Sequence, residues 1–494
     1  MILLYKLYKL YKLFRLEKAE KKHLIHSSGL LTRLGYFTAL MIVISSMVGS
    51  GVFKKIAPMS VELGSPGLIL LCWLIPGIIS LLGAATNAEI AGMIAEPGGQ
   101  YVYFKKMYGD AFAFLYGWSC FSVIQSASIA SIAYVFAESV NAVIHLPHLS
   151  PAFEQFTLFG IFNPLQSFGV KALTIFTIIF LTSANYLGVV FGASITNFFT
   201  VLKVVGIIII IFLGFAIGGG SFDNATPLLA KSGFEYHTSL GLFGAMFAAM
   251  LAAFWAYDGW NNIGYLGGEI KNPKKNIPLA LYGGVILVIV LYVAINFAFI
   301  YVMPVNEIIS VAKSENSIIA IEVMRKFLGY GGAIFISILI MVSTFGTTNG
   351  TILASSRIYF AMGRDNLFFK SAGKHHEKFR TPHISLLIQG FWASMLVLTG
   401  TFDQLTDMLI FASFIFYGSG AFGVFVLRRK MKDEVRPYKV FGYPVIPGIF
   451  VLFCIALVVV TIIQNPRDAG IGLGLVLIGI PFYMFWKRKI NNSV

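Results

Sequence analysis

The segment VISSMVGSGVFKKI, Val43–Ile56, decides how the rest of the chain is read. It belongs to an apolar run long enough to cross a bilayer, interrupted near its middle by Gly49-Ser50-Gly51. Within lipid an unwound turn persists only where it is buried in protein or lines a cavity, because its freed N–H and C=O groups need partners. Two readings are open at this point. The break is a ligand site whose bound molecule supplies those partners, or a packing site where small residues let two helices approach closely.

Composition fixes the broad class. Of the 494 residues 57% are hydrophobic and 12% charged, with a mean hydropathy of +0.79. A soluble domain carries roughly 25% charged residues. The expected fold class is therefore an all-α polytopic membrane protein. The three cysteines, Cys72, Cys120 and Cys454, each sit inside an apolar run and read as small buried residues, with no disulfide framework and no metal site.

Working outward, the basic tail of residues 1–33 precedes the first span. In it Lys6, Lys9, Lys12 and Arg15 recur every third residue among Leu and Tyr, so no continuous apolar stretch of a secretory signal is present. The tail reads as a basic helix lying on an anionic leaflet of the lipid bilayer, or as a dispensable extension. Apolar runs of about 20 residues mark bilayer-crossing helices. Twelve are expected, at 35–56, 67–88, 110–144, 170–186, 193–217, 241–265, 280–302, 331–360, 384–400, 405–427, 445–463 and 471–486.

Loop charge orients these spans. With both termini cytoplasmic, the inner segments hold the tail, Lys105-Lys106, Lys271, Lys274-Lys275, the stretch Arg364 to Arg380, Arg428 to Lys439, and Lys487 to Lys489. The outer segments hold only Lys54, Lys55, Lys171, Lys231, Lys313, Arg325, Lys326 and Arg467. This is the positive-inside pattern, so the net charge of +15 is an orientation signal in a multi-pass protein of the plasma (inner) membrane. A nucleic-acid partner is not expected, since no solvated basic domain is present.

Spans one to five lie in register with spans six to ten. The third and eighth are both unusually long, and the first and sixth are both interrupted. In the sixth, AAFWAYDGWNNIGYLGGE breaks around Asp258-Gly259. An odd number of spans per repeat makes the two inverted. Two repeats, 34–217 and 240–428, are thus expected, followed by helices eleven and twelve at 445–487. Interrupted segments at matching places in two halves point to a transporter substrate site. The pairing favours binding over packing for the opening stretch.

The chemistry of such a site follows from half-helix ends. Exposed helix N-termini offer free N–H groups and partial positive charge to a carboxylate; exposed C-termini offer carbonyls to an ammonium. A free α-amino acid carries both groups. The amides of Gly49, Ser50 and Gly51 are candidates for the carboxylate, and the carbonyls near Phe254, Trp255 and Tyr257 for the amine. Trp255 is further expected to close over the bound side chain. Asp258 either N-caps the second half-helix, which its place before Gly-Trp-Asn favours, or meets substrate or a proton directly.

Lys203 lies near the middle of span five, where an ionisable residue is a functional candidate. It shares a helix face with Thr196 and Thr200. Span eight offers a facing polar stripe in Thr344, Thr347, Thr348 and Thr351. An ammonium bridging the two can stand where a sodium ion would be bound, and a proton-carrying role is also open to it. Glu89 and Arg357 read as structural charges at the inner boundary. His145 and His148 form an H-x-x-H without further ligands, so no metal is expected there. No nucleophile–base pair or phosphate loop stands out, which leaves an enzyme or a cofactor without support.

GSGVF in span one, AEIAGMIAEPGGQYVYFKKMYG after span two, FWAYDGWNNIGYLGGEIKNPKKNIPLAL through span six and STFGTTNGTILASSRIYFAMGRDN in span eight resemble the amino acid–polyamine–organocation superfamily, in its L-type amino acid transporter branch and bacterial relatives. The resemblance runs from Leu34 to about Lys489. It implies the leucine-transporter-like inverted five-helix repeat plus two helices. It also implies that Gly49, Ser50 and Gly51 bind the substrate carboxylate, that Trp255 is the aromatic gate, and that Lys203 replaces sodium, making transport sodium-independent. Asn261 stands where that family's proton-sensing basic amino acid exchangers carry an acid, which argues against that subgroup. Animal members bond a glycoprotein through a cysteine in the loop after span three; the loop from Asn141 to Gly169 has none, so no disulfide-linked partner is expected. Lys54 and Lys55 replace residues uncharged in most relatives, a bias toward anionic or zwitterionic substrates.

The expected function is transport of α-amino acids by alternating access, as an exchanger or with proton assistance. The alternatives are a polyamine or organocation carrier, a channel and an amino-acid sensor.

Overall fold

The computed structural model describes residues 27–157, 163–226, 228–230, 234–236, 238, 240–312, 318–399 and 402–491. The Lys/Leu/Tyr repeat of the tail, Lys231 and Lys313 fall outside them. Among the described residues eleven helices are long and apolar enough to cross a membrane, and His383–Leu398 is a shorter apolar helix, in agreement with twelve spans. No strand occurs there; two isolated bridges, Leu34 with Ile270 and Pro97 with Leu266, tie the segments before span one and after span two to the end of span six. The protein is a multi-pass, all-helical membrane protein.

Local chemistry punctuates these helices. Gly64, at φ +58, ends Ile56–Leu63 in the left-handed region that glycine adopts without Cβ strain. Ser65 then caps Pro66–Met93, its side chain accepting from Leu68 N–H, with Pro66 in the first helical position where no N–H is needed. Pro273 likewise takes the first position of Pro273–Val302, although Asn272 before it makes no side-chain cap hydrogen bond.

Several boundaries differ from the apolar runs. Span one continues past Ile56 to Leu63, in three pieces, Tyr36–Met47, Gly51–Lys54 and Ile56–Leu63. Span five begins at Val189 and span seven at Pro273. Span eight runs from Ile319 to Arg364 through a kink at Gly329, whose φ is +60. Helical hydrogen bonding does not stop where apolar side chains do, so each helix extends into its polar flank. Glu89 and Arg357 lie inside helices Pro66–Met93 and Ile319–Arg364.

Equivalent members of the two halves pack on each other. Pro66–Met93 lies along Pro273–Val302, Gln125–Asn141 of span three along Ile319–Arg364, and Phe168–Tyr186 along His383–Thr399. Val189–Ile217 packs on both Ile319–Arg364 and Tyr36–Met47, and so carries Lys203 to the first break.

The end of the bundle remote from Lys54 is held by ion pairs. Arg357 and Glu269, both fully buried, form a two-pronged pair with Nε–Oε1 2.7 Å and Nη2–Oε2 3.0 Å. Glu89 receives Arg428 on both oxygens and the Val440 N–H on Oε2, with Arg436 Nε 3.3 Å from Oε1. Lys105 pairs with Asp365 at 2.8 Å.

Candidate functional site

The first break leaves two sets of backbone groups. Tyr36–Met47 ends with Val48 N–H on Ile44 O and Gly49 N–H on Met47 O at 2.9 Å. The chain turns helical again at Gly51, with Ser50 O accepting from Phe53 and Lys54. Among the described residues the N–H groups of Ser50, Gly51 and Val52 carry no hydrogen bond, and the buried hydroxyls of Ser46 and Ser50 have no partner. The Gly49 amide, expected to bind substrate, is already used by Met47.

On the opposite side of the break the carbonyls converge on Lys203. Its Nζ, fully buried, donates to Val48 O at 2.6 Å and Ser45 O at 3.1 Å and reaches Thr347 Oγ1 at 2.9 Å. Thr347 Oγ1 itself lies 2.9 Å from both carbonyls, and Ser343 Oγ is 3.0 Å from Val48 O and 3.1 Å from Gly49 O. These carbonyls form the negative end of a half-helix, where a cation is favoured. Lys203 is thus bonded chiefly to span one, with Thr347 as its single hydroxyl partner on span eight. Thr344 and Thr348 are not part of the cluster; their hydroxyls bond carbonyls one turn back in their own helix, Ile340 O and Thr344 O.

The second break faces the first. Gly241–Tyr257 stops at Asp258, which is extended, and Gly259 follows at φ +92. Beyond it the chain forms only tight 3₁₀ turns, Trp260–Tyr265 and Gly267–Glu269, in place of the second α-helical half expected. Asp258 is the C-cap of Gly241–Tyr257 and not an N-cap: Gly259 takes the N-cap place, and the Asp258 carboxylate accepts from Tyr417 Oη at 2.5 Å. The N-cap expectation fails because the left-handed glycine, not the acid, sits at the turn into the 3₁₀ helix.

Close approach interlocks the breaks. A Cβ on Gly51 would stand 2.7 Å from Ala256 Cβ and 3.0 Å from Trp255 Cε3, and one on Gly259 would stand 2.9 Å from Ser46 O. Packing and unbonded amides therefore coexist at Gly51. Tyr292 of span seven bridges the two segments, its Oη 2.8 Å from Met47 O and 3.0 Å from Ala256 O. Trp255 lies against Gly51, as a gate requires. The side chains of Phe254 and Tyr257 point elsewhere, Phe254 onto Phe414 and Phe453, and Tyr257 between Trp73 and Tyr292. Only the backbone of these two residues remains a candidate for ligand contact. Asn261 bonds Tyr265 Oη at 3.1 Å.

A vestibule of about 1010 Å³ opens beyond the breaks, with Lys54, Lys55, Glu62 and Glu138 on its walls and Ala252 a turn from Trp255. His148 contacts Glu154 at 3.1 Å, and among the described residues no group of three or more His, Cys, Asp or Glu could hold a metal. Four contributors escaped sequence reading. Ser45 and Ser343 had a signal, since Ser343 sits one turn before Thr347 on the same stripe. Tyr292 and Tyr417 had none, being single tyrosines in apolar spans.

A family model described as "Amino acid permease" matches residues 34–482. The chain is 32% identical over 464 residues to the serine/threonine exchanger SteT of Bacillus subtilis (strain 168), covering 94% of this chain and 98% of the relative. It is 30% identical over 482 residues to the b(0,+)-type amino acid transporter 1 of Mus musculus, covering 95% and 92%. Against the large neutral amino acids transporter small subunit 2 of Mus musculus it is 31% identical over 464 residues, covering 93% and 82%.

Proposed function

The chain belongs to the amino acid permease family, and from that premise we propose that it moves α-amino acids without sodium, by alternating access about the paired breaks. It is an amino acid transporter rather than an enzyme. The observation that carries the sodium-free reading is the Lys203 ammonium on Ser45 O, Val48 O and Thr347 Oγ1. That donor holds its charge at the carbonyl end of a half-helix, the same end a monovalent cation would neutralise.

The substrate carboxylate binds the Ser50 and Gly51 amides, whose orphan N–H groups lie at the start of a helical turn. Its ammonium faces the carbonyl end of Gly241–Tyr257, with Trp255 as the gate. The repeats 34–217 and 240–428 rock about this point, and the 445–487 helices flank them. Exchange is favoured over proton assistance because one relative is named an exchanger. The protein works in the plasma membrane with both termini cytoplasmic, as loop charge indicates. It needs no disulfide-linked glycoprotein, since 141–169 contains no cysteine.

Uptake of a labelled amino acid panel into proteoliposomes tests this, with and without internal substrate, sodium and a pH gradient. Saturable uptake, indifferent to sodium and stimulated by internal amino acid, is the expected result. A requirement for sodium overturns the role given to Lys203. Non-saturating flux identifies a channel, and flux of polyamines in place of amino acids an organocation carrier.

A further inference from the structure

The loop between spans eight and nine is built on two histidine lone pairs. His376 N–H donates to Thr381 O and Arg380 N–H to His376 O, each at 2.8 Å, which closes a turn. Inside it, His376 Nδ1 accepts from the backbone N–H groups of Lys378 at 3.1 Å and Phe379 at 3.2 Å. Beside it, His375 Nε2 lies 2.8 Å from Nη1 of Arg380, a residue held at φ +55. A backbone N–H and a guanidinium can only donate, so each ring must present an unprotonated nitrogen. Both contacts exist only while these nitrogens are free of a proton.

The surroundings favour the neutral rings. Arg380 and, from the end of span eight, Arg364 act on His375, with Glu377 opposing them. Burial and the two guanidiniums hold the His375 imidazole below the usual histidine value of about 6.5. Around His376 stand the rings of Tyr186 at the end of span four and His383 at the start of span nine, both centred 5.3 Å away, and Phe379 at 4.8 Å with Lys378 Nζ over it. Protonating either ring removes an acceptor from the turn, and at His375 it also sets a cation against two guanidiniums.

The turn is tied to the start of span one. Gly29 abuts the His375 ring so closely that a Cβ there would overlap it. Just after it, Thr32 Oγ1 donates to Gly268 O, and the Arg33 and Leu34 N–H groups to Glu269 O, all at 2.9 Å, and Tyr36–Met47 then begins. On its other side Thr381 Oγ1 fastens the turn to Tyr186 O at 2.9 Å. This is the end of the bundle closed by the buried Arg357–Glu269 pair, opposite the vestibule.

We propose that His375 and His376 form a proton-operated clasp on the inner end of span one, which opens when the cytoplasm acidifies and draws the protein out of its outward-open state. The proposal goes beyond amino acid transport and rests on the reading that this end is cytoplasmic and that the two repeats rock. A loosened turn returns the rings to their ordinary value, so the clasp is at full strength above about pH 6.5 and weakens as pH falls below it. Substrate entering by the vestibule needs the outward-open state, so a smaller population of that state raises the apparent KM in proportion.

The test is uptake kinetics in right-side-out proteoliposomes with the same pH on both faces, so that no gradient drives transport. Between pH 7.5 and pH 5.5 the wild-type apparent KM for a labelled amino acid should rise at least about threefold. In the double variant His375→Gln, His376→Asn the side-chain oxygens take the places of Nε2 and Nδ1 without titrating, and the KM should stay level. In His375→Ala, His376→Ala it should already be high at pH 7.5. Should the Gln/Asn variant not be recovered in membranes, hydrogen exchange of the wild type, corrected for intrinsic rates, should show the Lys378 and Phe379 amides losing protection at pH 5.5. A level wild-type KM, an equal rise in the Gln/Asn variant, or unchanged protection overturns the clasp. A rise produced by acidifying the vesicle exterior alone overturns its cytoplasmic placement. Failure of the wild type to take up any amino acid at pH 7.5 overturns the transport reading, and the clasp with it.

Discussion

Lys203 Nζ donates to the carbonyl of Val48 at 2.6 Å, which couples the middle of span five to the last turn before the break in span one. The contact makes one buried ammonium part of the backbone geometry of the substrate site. A change at either residue is felt at both.

Lys203→Ala removes that donor and leaves Val48 O, Ser45 O and Thr347 Oγ1 to find other partners. A hydrogen bond from a charged donor contributes about 1.5–3 kcal/mol, and a buried acceptor stranded without one costs about 1–3 kcal/mol. Uptake should fall at least tenfold, or become dependent on sodium or pH. Measuring uptake with sodium and with choline separates these outcomes, and wild-type kinetics in both would reduce Lys203 to a dispensable tether.

The two glycines of the break should respond differently. Gly51→Val brings a side chain onto Ala256 and Trp255 and should abolish uptake, whereas Gly49→Ala meets nothing closer than Thr347 Cγ2 at 3.7 Å and should keep most of it. Surface expression and uptake of both variants form the measurement. Equal loss in the two would mean that uptake is not limited by the close contact of Gly51 with Ala256 and Trp255.

Tyr292→Phe deletes the hydroxyl between Met47 O and Ala256 O while keeping the ring. The expected cost is about 1 kcal/mol of stability, with a several-fold fall in maximal uptake because the two breaks lose their shared anchor. Thermal unfolding in detergent and initial rates provide the two readouts. A drop in melting temperature with no kinetic change would confine Tyr292 to stability.

Breaking the Arg357–Glu269 pair strands one charge in the core. Arg357→Leu or Glu269→Leu alone should destabilise by about 3–5 kcal/mol, and the double variant should recover much of the loss because no uncompensated charge remains. Thermal unfolding of the three proteins gives the answer. A double variant no better than the worse single one would show that Arg357 acts mainly through its bonds to Leu353 O and Ser356 Oγ.

How much of this was legible in the sequence depends on how local each cause is. Gly49-Ser50-Gly51 and Asp258-Gly259 announced two breaks, because glycine and a run of small residues interrupt helical apolar patterning wherever they occur. Lys203 announced itself because a lysine at mid-span is costly unless it has partners. The helix count followed from apolar length, and the boundaries slipped outward because backbone hydrogen bonding continues past the last apolar side chain.

The sequence by itself thus determined that the chain is a membrane-spanning bundle with two interrupted helices and a lysine, Lys203, at mid-span. Only the tertiary structure decided whom those groups meet. It gave Lys203 to Ser45 and Val48 and, of the threonine stripe, to Thr347 alone, turned Asp258 from an N-cap into an acceptor for Tyr417, and set Tyr292 between the breaks. Each of these contacts joins residues more than 30 positions apart, most of them more than 140. Periodicity within one helix says which face a residue occupies. Which neighbour covers that face is fixed by how twelve helices pack at once, so the Gly-Ser-Gly break could be found in the chain but its partners only in the fold.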